Sequence, residues 1–134
     1  MDKDTVKPWM AGYTSTSRHL YRGCWFMDFL HAIFAGFYDD RTAKLSKVAG
    51  EAYNKALAPH HPWMLKKIAG VAMNAINYRN VFIKNMCDEQ TKVLGKEYTE
   101  EKIYEDLHIL SEAAGVTSKH MWAMCTQNGL DQLP

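Results

Sequence analysis

Long apolar runs and a dominant charge sign are both missing from this 134-residue chain. The longest apolar stretch, near Cys24 to Phe37, is interrupted by Asp28 and His31 and falls short of the roughly 18 apolar residues that a membrane span needs. The N-terminus carries charge early and lacks the apolar segment of a signal peptide. The formal net charge of +1 argues against bulk nucleic-acid binding, so no nucleic-acid partner is expected.

Cysteine is scarce and unpaired in sequence. Cys24, Cys87 and Cys125 lie far apart, form no Cys-x-x-Cys pair, and are odd in number, which makes a poor disulfide framework. This usage predicts a reducing, cytoplasmic setting.

Alternating strand patterns and internal repeats are also missing, and the apolar spacing predicts an all-α fold of five or six helices. Residues 1–13 are interpreted as an N-terminal arm and residues 14–134 as one domain. Helices are predicted at about 15–38, 42–57 and 62–76, and from 79 to 86 or a little beyond. A last one starts after an N-cap at Thr99 and runs, bent at Gly115, to about 127.

The first predicted helix carries a stripe that begins charged and becomes apolar. Arg18 and Arg22 are four residues apart and therefore neighbours on one face. The stripe continues through aromatic and aliphatic residues, namely Trp25, Phe26, Phe29 and Ile33. Guanidiniums can fork onto phosphate oxygens, so the face suits an amphiphile with an anionic head. The alternative is a buried amphipathic helix with two solvated arginines at its start.

The stretch "LAPHHPWMLKK" offers a second candidate site. His60 and His61 are adjacent, point different ways, and have no Cys, Asp or Glu at ligand spacing, so no metal site is predicted. A catalytic role for His61 would need a nucleophile or acid partner, and no such motif appears. Alternatively, a histidine before Pro62 simply caps a neighbouring segment.

The segment from Glu51 to Ile83 resembles the central part of the glycolipid transfer protein superfamily. That family has Ala-Tyr at a helix end, a Leu, a His followed by Pro and Trp, a helix with a small-residue face, and a Tyr-Arg turn before a Phe. The matching residues are Ala52, Tyr53, Leu57, His61, Pro62, Trp63, Arg79 and Phe82.

The resemblance implies a two-layer helical sandwich that carries sphingolipids between membranes, with no enzymatic activity and no cofactor. Two arginines at this spacing resemble the ceramide-1-phosphate transfer branch, where both hold the phosphate. By the same resemblance Arg18, Arg22 and His61 form the head-group site. The slot for the lipid chains is expected to be lined by Trp25, Phe26, Phe29, Ile33 and Tyr53.

A glycosphingolipid is the alternative ligand. The glycolipid branch has a Trp on this first helix that stacks on the first sugar, and the alignment places Arg22 there. A one-turn slip would bring Trp25 towards that position instead.

Trp63, Lys66 and Lys67 are interpreted as a membrane-docking edge, which makes the protein peripherally membrane-associated. An indole is favoured at the lipid–water interface, and basic residues near anionic lipid contribute about 1 kcal/mol each. The alternative is a half-buried tryptophan at a helix start, followed by two solvated lysines.

The chain departs from the family pattern at its N-terminus. Family domains are about half as long again and begin with helices that carry an amide-binding Asp, and this sequence starts after that point. An N-terminally shortened sandwich is therefore expected. A missing layer would expose apolar surface and favour a homodimer, and a truncated sensing or interaction module without transfer activity is the further alternative.

Overall fold

The computed structural model describes residues 16–76 and 78–132, and within these ranges the chain is helical with no strand. Five α-helices follow one another: α1 Thr16–Asp39, α2 Leu45–Ala56, α3 Trp63–Asn74, α4 Arg79–Leu94 and α5 Glu100–Gln127. Two short 3₁₀ turns lie at Ala58–His60 and Leu130–Gln132. The predicted all-α class is confirmed, and the predicted arm lies outside the described residues.

One helix boundary differs clearly from the sequence expectation. α4 continues to Leu94 and ends where Gly95 adopts a left-handed φ of 66° and donates its N–H to the Thr91 carbonyl. α5 ends at Gln127, as predicted. Its predicted cap is confirmed, because the Thr99 side chain accepts a hydrogen bond from the Lys102 backbone N–H.

The long helix α5 packs along α1, and α2 folds back on α1 as the second arm of a helical hairpin. Buried residues from the end of α1, the start of α2, and α4 and α5 form the core. They are Phe37, Leu45, Val48, Ile83, Ile103, Tyr104 and Leu107. The core therefore sits at the closed end of the α1–α2 hairpin.

The loop that closes this hairpin is held by two polar groups. The Asp40 carboxylate accepts hydrogen bonds from the Thr42 hydroxyl and from the backbone N–H groups of Thr42 and Ala43. These bonds, led by the one from the Thr42 side chain, lower the pKa of Asp40. Arg79 donates to the carbonyls of Phe37, Asp40 and Ala43, at 2.9, 2.7 and 2.9 Å. Its guanidinium thus ties the start of α4 to the loop.

Close contacts fix the register of α1 against α5. Cys24 and Cys125 are both fully buried, with their sulfurs 3.5 Å apart, and burial raises the pKa of the Cys24 thiol to about 12. His31 Nδ1 lies 2.8 Å from the Ser111 carbonyl oxygen. A Cβ at Gly115 would come within 3.0 Å of the His31 ring, so the glycine makes room for this imidazole.

α3 stands apart from the core. None of its residues is buried, and its apolar side chains are open to solvent. Within residues 16–76 and 78–132, no helix combines the length and the apolar character that crossing a membrane requires.

Candidate functional site

The histidine turn after α2 is anchored by a buried tyrosine. Tyr53 occupies the last turn of α2, is buried, and places its hydroxyl 2.9 Å from His61 Nδ1. The turn Ala58–His60 follows, and Pro62 then precedes α3 with the fixed φ that suits a helix start. The chain thus leaves α2 and enters α3 with His61 held between them.

His60 joins the same turn to α1. Its ring stacks flat on the indole of Trp25, with centroids 3.9 Å apart and planes 4° apart. Tyr21 meets Trp25 edge-on at 4.9 Å and Trp122 at 5.8 Å, so the stack belongs to an aromatic cluster across α1, the turn and α5. His60 is exposed, and its stack on Trp25 is a contact that the sequence did not predict.

Arg18 and Arg22 are exposed on α1. Arg22 lies one helical turn before Trp25, and Arg18 lies two turns before it. Spacings of four and seven residues place all three on one face of the helix. The histidine turn meets α1 at Trp25, so the two guanidiniums and the two imidazoles occupy the same end of the α1–α2 hairpin.

A carboxylate lies beneath this cluster. Asp28 accepts a hydrogen bond from Trp122 Nε1 at 2.8 Å and another from the Ser118 hydroxyl. The Trp25 indole N–H, one turn earlier, is buried and has no hydrogen-bond partner among the described residues. Sequence reasoning noted Asp28 only as an interruption of an apolar run, because its partners lie about ninety residues away in α5.

His60 titrates below its ordinary range. Desolvation of the stacked ring lowers its pKa most, and the neighbouring His61 lowers it further, while Asp28 acts in the opposite direction. The imidazole is therefore biased towards its neutral form.

An apolar cavity of about 300 Å³ opens at the other end of the hairpin. Of the predicted slot residues, Ile33 lines this cavity, while Phe26 and Phe29 pair with each other nearer the arginines, with ring centroids 6.4 Å apart. Trp25 and Tyr53 contact the histidines instead. The full lining is Ile33, Phe34, Phe37, Leu45, Ala49, Ile76, Phe82 and Leu107.

The predicted membrane edge lies on the first turn of α3. Trp63 is 69% exposed, and the ammonium of Lys67 lies over its ring at 5.0 Å from the centroid. Lys66 is exposed beside it. The alternative of a half-buried tryptophan does not fit this exposure.

The hairpin therefore has a cationic, hydrogen-bonding end and an apolar end, which is the polarity of an amphiphile. Sequence comparison agrees with this geometry. The family model for glycolipid transfer proteins matches residues 1–88, and the chain belongs to that family.

Two curated relatives come from the two branches of the family. The chain is 30% identical over 111 residues to the ceramide-1-phosphate transfer protein of Danio rerio. This alignment covers 82% of the chain and 46% of the Danio rerio protein. It is 35% identical over 83 residues to glycolipid transfer protein A of Xenopus laevis. This alignment covers 60% of the chain and 40% of the Xenopus laevis protein. The chain thus spans about half the length of the curated relatives it matches.

A solved structure shares the fold. The human ceramide-1-phosphate transfer protein, crystallised with 12:0 ceramide-1-phosphate, superposes with a TM-score of 0.75 at 21% identity, covering 90% of this chain and 54% of that one. The resemblance to the family and to its ceramide-1-phosphate transfer branch is confirmed.

Proposed function

We propose that the protein binds a sphingolipid with a phosphate head, ceramide-1-phosphate, and carries it between membranes without chemical change. The observation that supports this most is the placement of Arg18 and Arg22 beside the histidine turn, at the end of the hairpin opposite the apolar cavity. Relatives named for the transfer of this lipid support the choice of ligand.

The phosphate is assigned to the two arginines. Neighbouring guanidiniums on one helix face present several N–H donors to the oxygens of one phosphate, and such charge-assisted bonds are about twice as strong as neutral ones. Phosphate held at an exposed site also stays accessible to a donor or acceptor membrane.

His61 is assigned to the polar region just below the phosphate. When the Tyr53 hydroxyl donates to Nδ1, the neutral imidazole carries its proton on Nε2 and presents that N–H to a ligand acceptor. Because Tyr53 is buried, the ring orientation is fixed before the ligand arrives.

The hydrocarbon chains are assigned to the apolar end. Eleven residues separate Arg22 from Ile33 along α1, a helical rise of about 16 Å. Phe26 and Phe29 lie between them and lead from the head-group end to the cavity.

Docking at the membrane is assigned to the first turn of α3, formed by Trp63, Lys66 and Lys67. The exposed indole suits the interface, the two ammonium groups attract anionic lipid, and the helix contains no acidic residue.

Transfer between vesicles tests the proposal, with labelled ceramide-1-phosphate and labelled galactosylceramide assayed side by side. Arg22→Leu should lower transfer of the phosphate lipid at least about ten-fold, because two charge-assisted bonds contribute more than 1.4 kcal/mol. Arg41→Leu removes an exposed guanidinium that pairs with Glu101 at the opposite end of the hairpin, and serves as the control. Equal transfer by wild type and Arg22→Leu, with unchanged helicity, would reject the assignment.

A glycosphingolipid is the second candidate, favoured by the 35% identity to glycolipid transfer protein A. Transfer of galactosylceramide alone would support it, and the Trp25 ring would then be the surface for the sugar. The Trp25–His60 stack would have to open for this, so His60→Ala should increase sugar-lipid binding.

A sensing or interaction module that binds the lipid without transferring it is the third candidate. Binding of ceramide-1-phosphate in a flotation assay without any transfer between vesicles would favour this reading.

A further inference from the structure

α5 is apolar on two opposite sides. One side supplies buried core residues, among them Tyr104 and Leu107. The other side carries a stripe of exposed apolar residues at spacings of seven and eight, which keeps them on one face. The stripe consists of Ile109 at 58%, Val116 at 56% and Met124 at 47% exposure, with Leu110 at 47% on its edge. A helix with this pattern is expected to be covered on both sides.

The charges beside the stripe indicate what covers it. Glu112 and Lys119 are exposed, seven residues apart, and lie along the same edge of the stripe. The apolar face of α3, by contrast, is accompanied by Lys66 and Lys67 and by no acidic residue. The lysines of α3 suit an anionic membrane. The stripe on α5 has a glutamate and a lysine beside it, which suits a partner surface that places a lysine opposite the glutamate and a glutamate opposite the lysine.

We propose that a second copy of this chain covers the stripe, with the two α5 helices antiparallel about a two-fold axis near Val116. Glu112 then lies opposite the partner's Lys119, and Lys119 opposite the partner's Glu112. A two-fold interface of this kind is self-complementary and closed, so it produces a dimer and not a filament.

The apolar stripe supplies most of the association energy in this arrangement. Exposed ion pairs contribute little each, so Glu112 and Lys119 set the antiparallel direction more than the affinity. One helix face from each copy makes a small interface, which predicts a reversible dimer whose population depends on concentration. The proposal does not depend on lipid binding, because the stripe lies outside the head-group site and the cavity.

Sedimentation of the full chain over a range of concentrations tests the proposal. Val116→Lys brings two like charges together at the axis and should weaken self-association at least about ten-fold. Val71→Lys makes the same change on α3, at a site that is 73% exposed, and should leave self-association unchanged. A wild-type chain that stays monomeric throughout, or equal effects of the two variants, would overturn the proposal.

Charge reversal tests the direction of packing. Glu112→Lys and Lys119→Glu should each weaken the dimer, by about five-fold. The double variant should restore it, because both intermolecular pairs form again with reversed sign. No restoration, with helicity intact by circular dichroism, would reject the antiparallel pairing. If Val116→Lys instead reduced co-sedimentation with neutral phosphatidylcholine vesicles and left self-association unchanged, the stripe would be a membrane surface and the proposal wrong.

Discussion

At the scale of single residues, the stacked His60 should make stability depend on pH. Its folded pKa is lowered from 6.5, mainly by desolvation, so the unfolded chain binds more protons just below that value. The contribution of the neutral ring is fully present above pH 6.5 and is lost as the pH falls towards the folded pKa.

The comparison with His60→Phe isolates this effect. Phenylalanine retains an aromatic ring on Trp25 and cannot titrate. We expect the free energy of unfolding, measured with urea from about pH 5 to 7.5, to fall less steeply on acidification in the variant than in wild type. Identical slopes would show that the stack does not oppose protonation.

Single residues also show what the sequence could and could not reveal. Arg79 stood out in the sequence only as part of the family's Tyr-Arg turn, and the structure shows that it bonds three loop carbonyls. The contacts of Asp28 with Ser118 and Trp122 were not predictable, because a helix face gives its own neighbours and not those of a distant helix. The roles of Arg18, Arg22 and His61 stay predictions.

At the scale of elements, two glycines in the α1–α2 hairpin should respond oppositely to alanine. A Cβ at Gly36 would lie 2.7 Å from Val48 Cγ1, whereas at Gly50 nothing comes within 4 Å. Gly36→Ala should therefore destabilise by about 1–3 kcal/mol through overpacking. Gly50→Ala should stabilise by about 0.5–1 kcal/mol, because alanine loses less backbone entropy in a helix.

Urea unfolding of the two variants beside wild type provides the measurement, and each serves as the other's control for a generic Gly-to-Ala effect. Stabilisation by Gly36→Ala would mean that α1 and α2 pack less closely at this point than the structure describes. Destabilisation by Gly50→Ala would contradict the open space that the structure shows around this glycine.

Two helix starts carry clear local signals, whereas the end of α4 does not. α5 begins where Thr99 caps it, and α3 begins directly after the proline that the sequence marked, because both signals are local. The end of α4 was underestimated, because its last two turns have little apolar periodicity and depend on side-chain ion pairs and on Gly95. The predicted bend at Gly115 stays a prediction, and the structure adds that this glycine accommodates His31.

At the scale of the whole molecule, apolar surface is divided between two helices with different flanking charges. α3 exposes an apolar face beside Lys66 and Lys67, and α5 exposes a stripe whose flank includes Glu112 and Lys119. Family resemblance predicted exposed apolar surface in general. The sequence could not predict where this exposed apolar surface lies, because exposure depends on which helix faces remain uncovered when α1, α2 and α5 pack together.

Association with membranes should depend on α3 and on salt. Lys66→Glu with Lys67→Glu should lower binding to phosphatidylserine-containing vesicles by at least about ten-fold, since each lysine contributes about 1 kcal/mol and each glutamate adds repulsion. Trp63→Ala should lower binding to the same vesicles with less dependence on ionic strength, because it removes an apolar contact.

Lys92→Glu with Lys96→Glu changes the net charge equally at the end of α4 and is the matched control. If it reduced vesicle binding as much as the α3 pair, the attraction would belong to the overall charge. With a formal net charge of +1, a long-range attraction of that kind is weak, and a local basic cluster beside an exposed indole is the stronger physical basis for docking. Co-sedimentation of both pairs with neutral and anionic vesicles would separate local from overall attraction, because only the α3 pair should lose the preference for the anionic lipid.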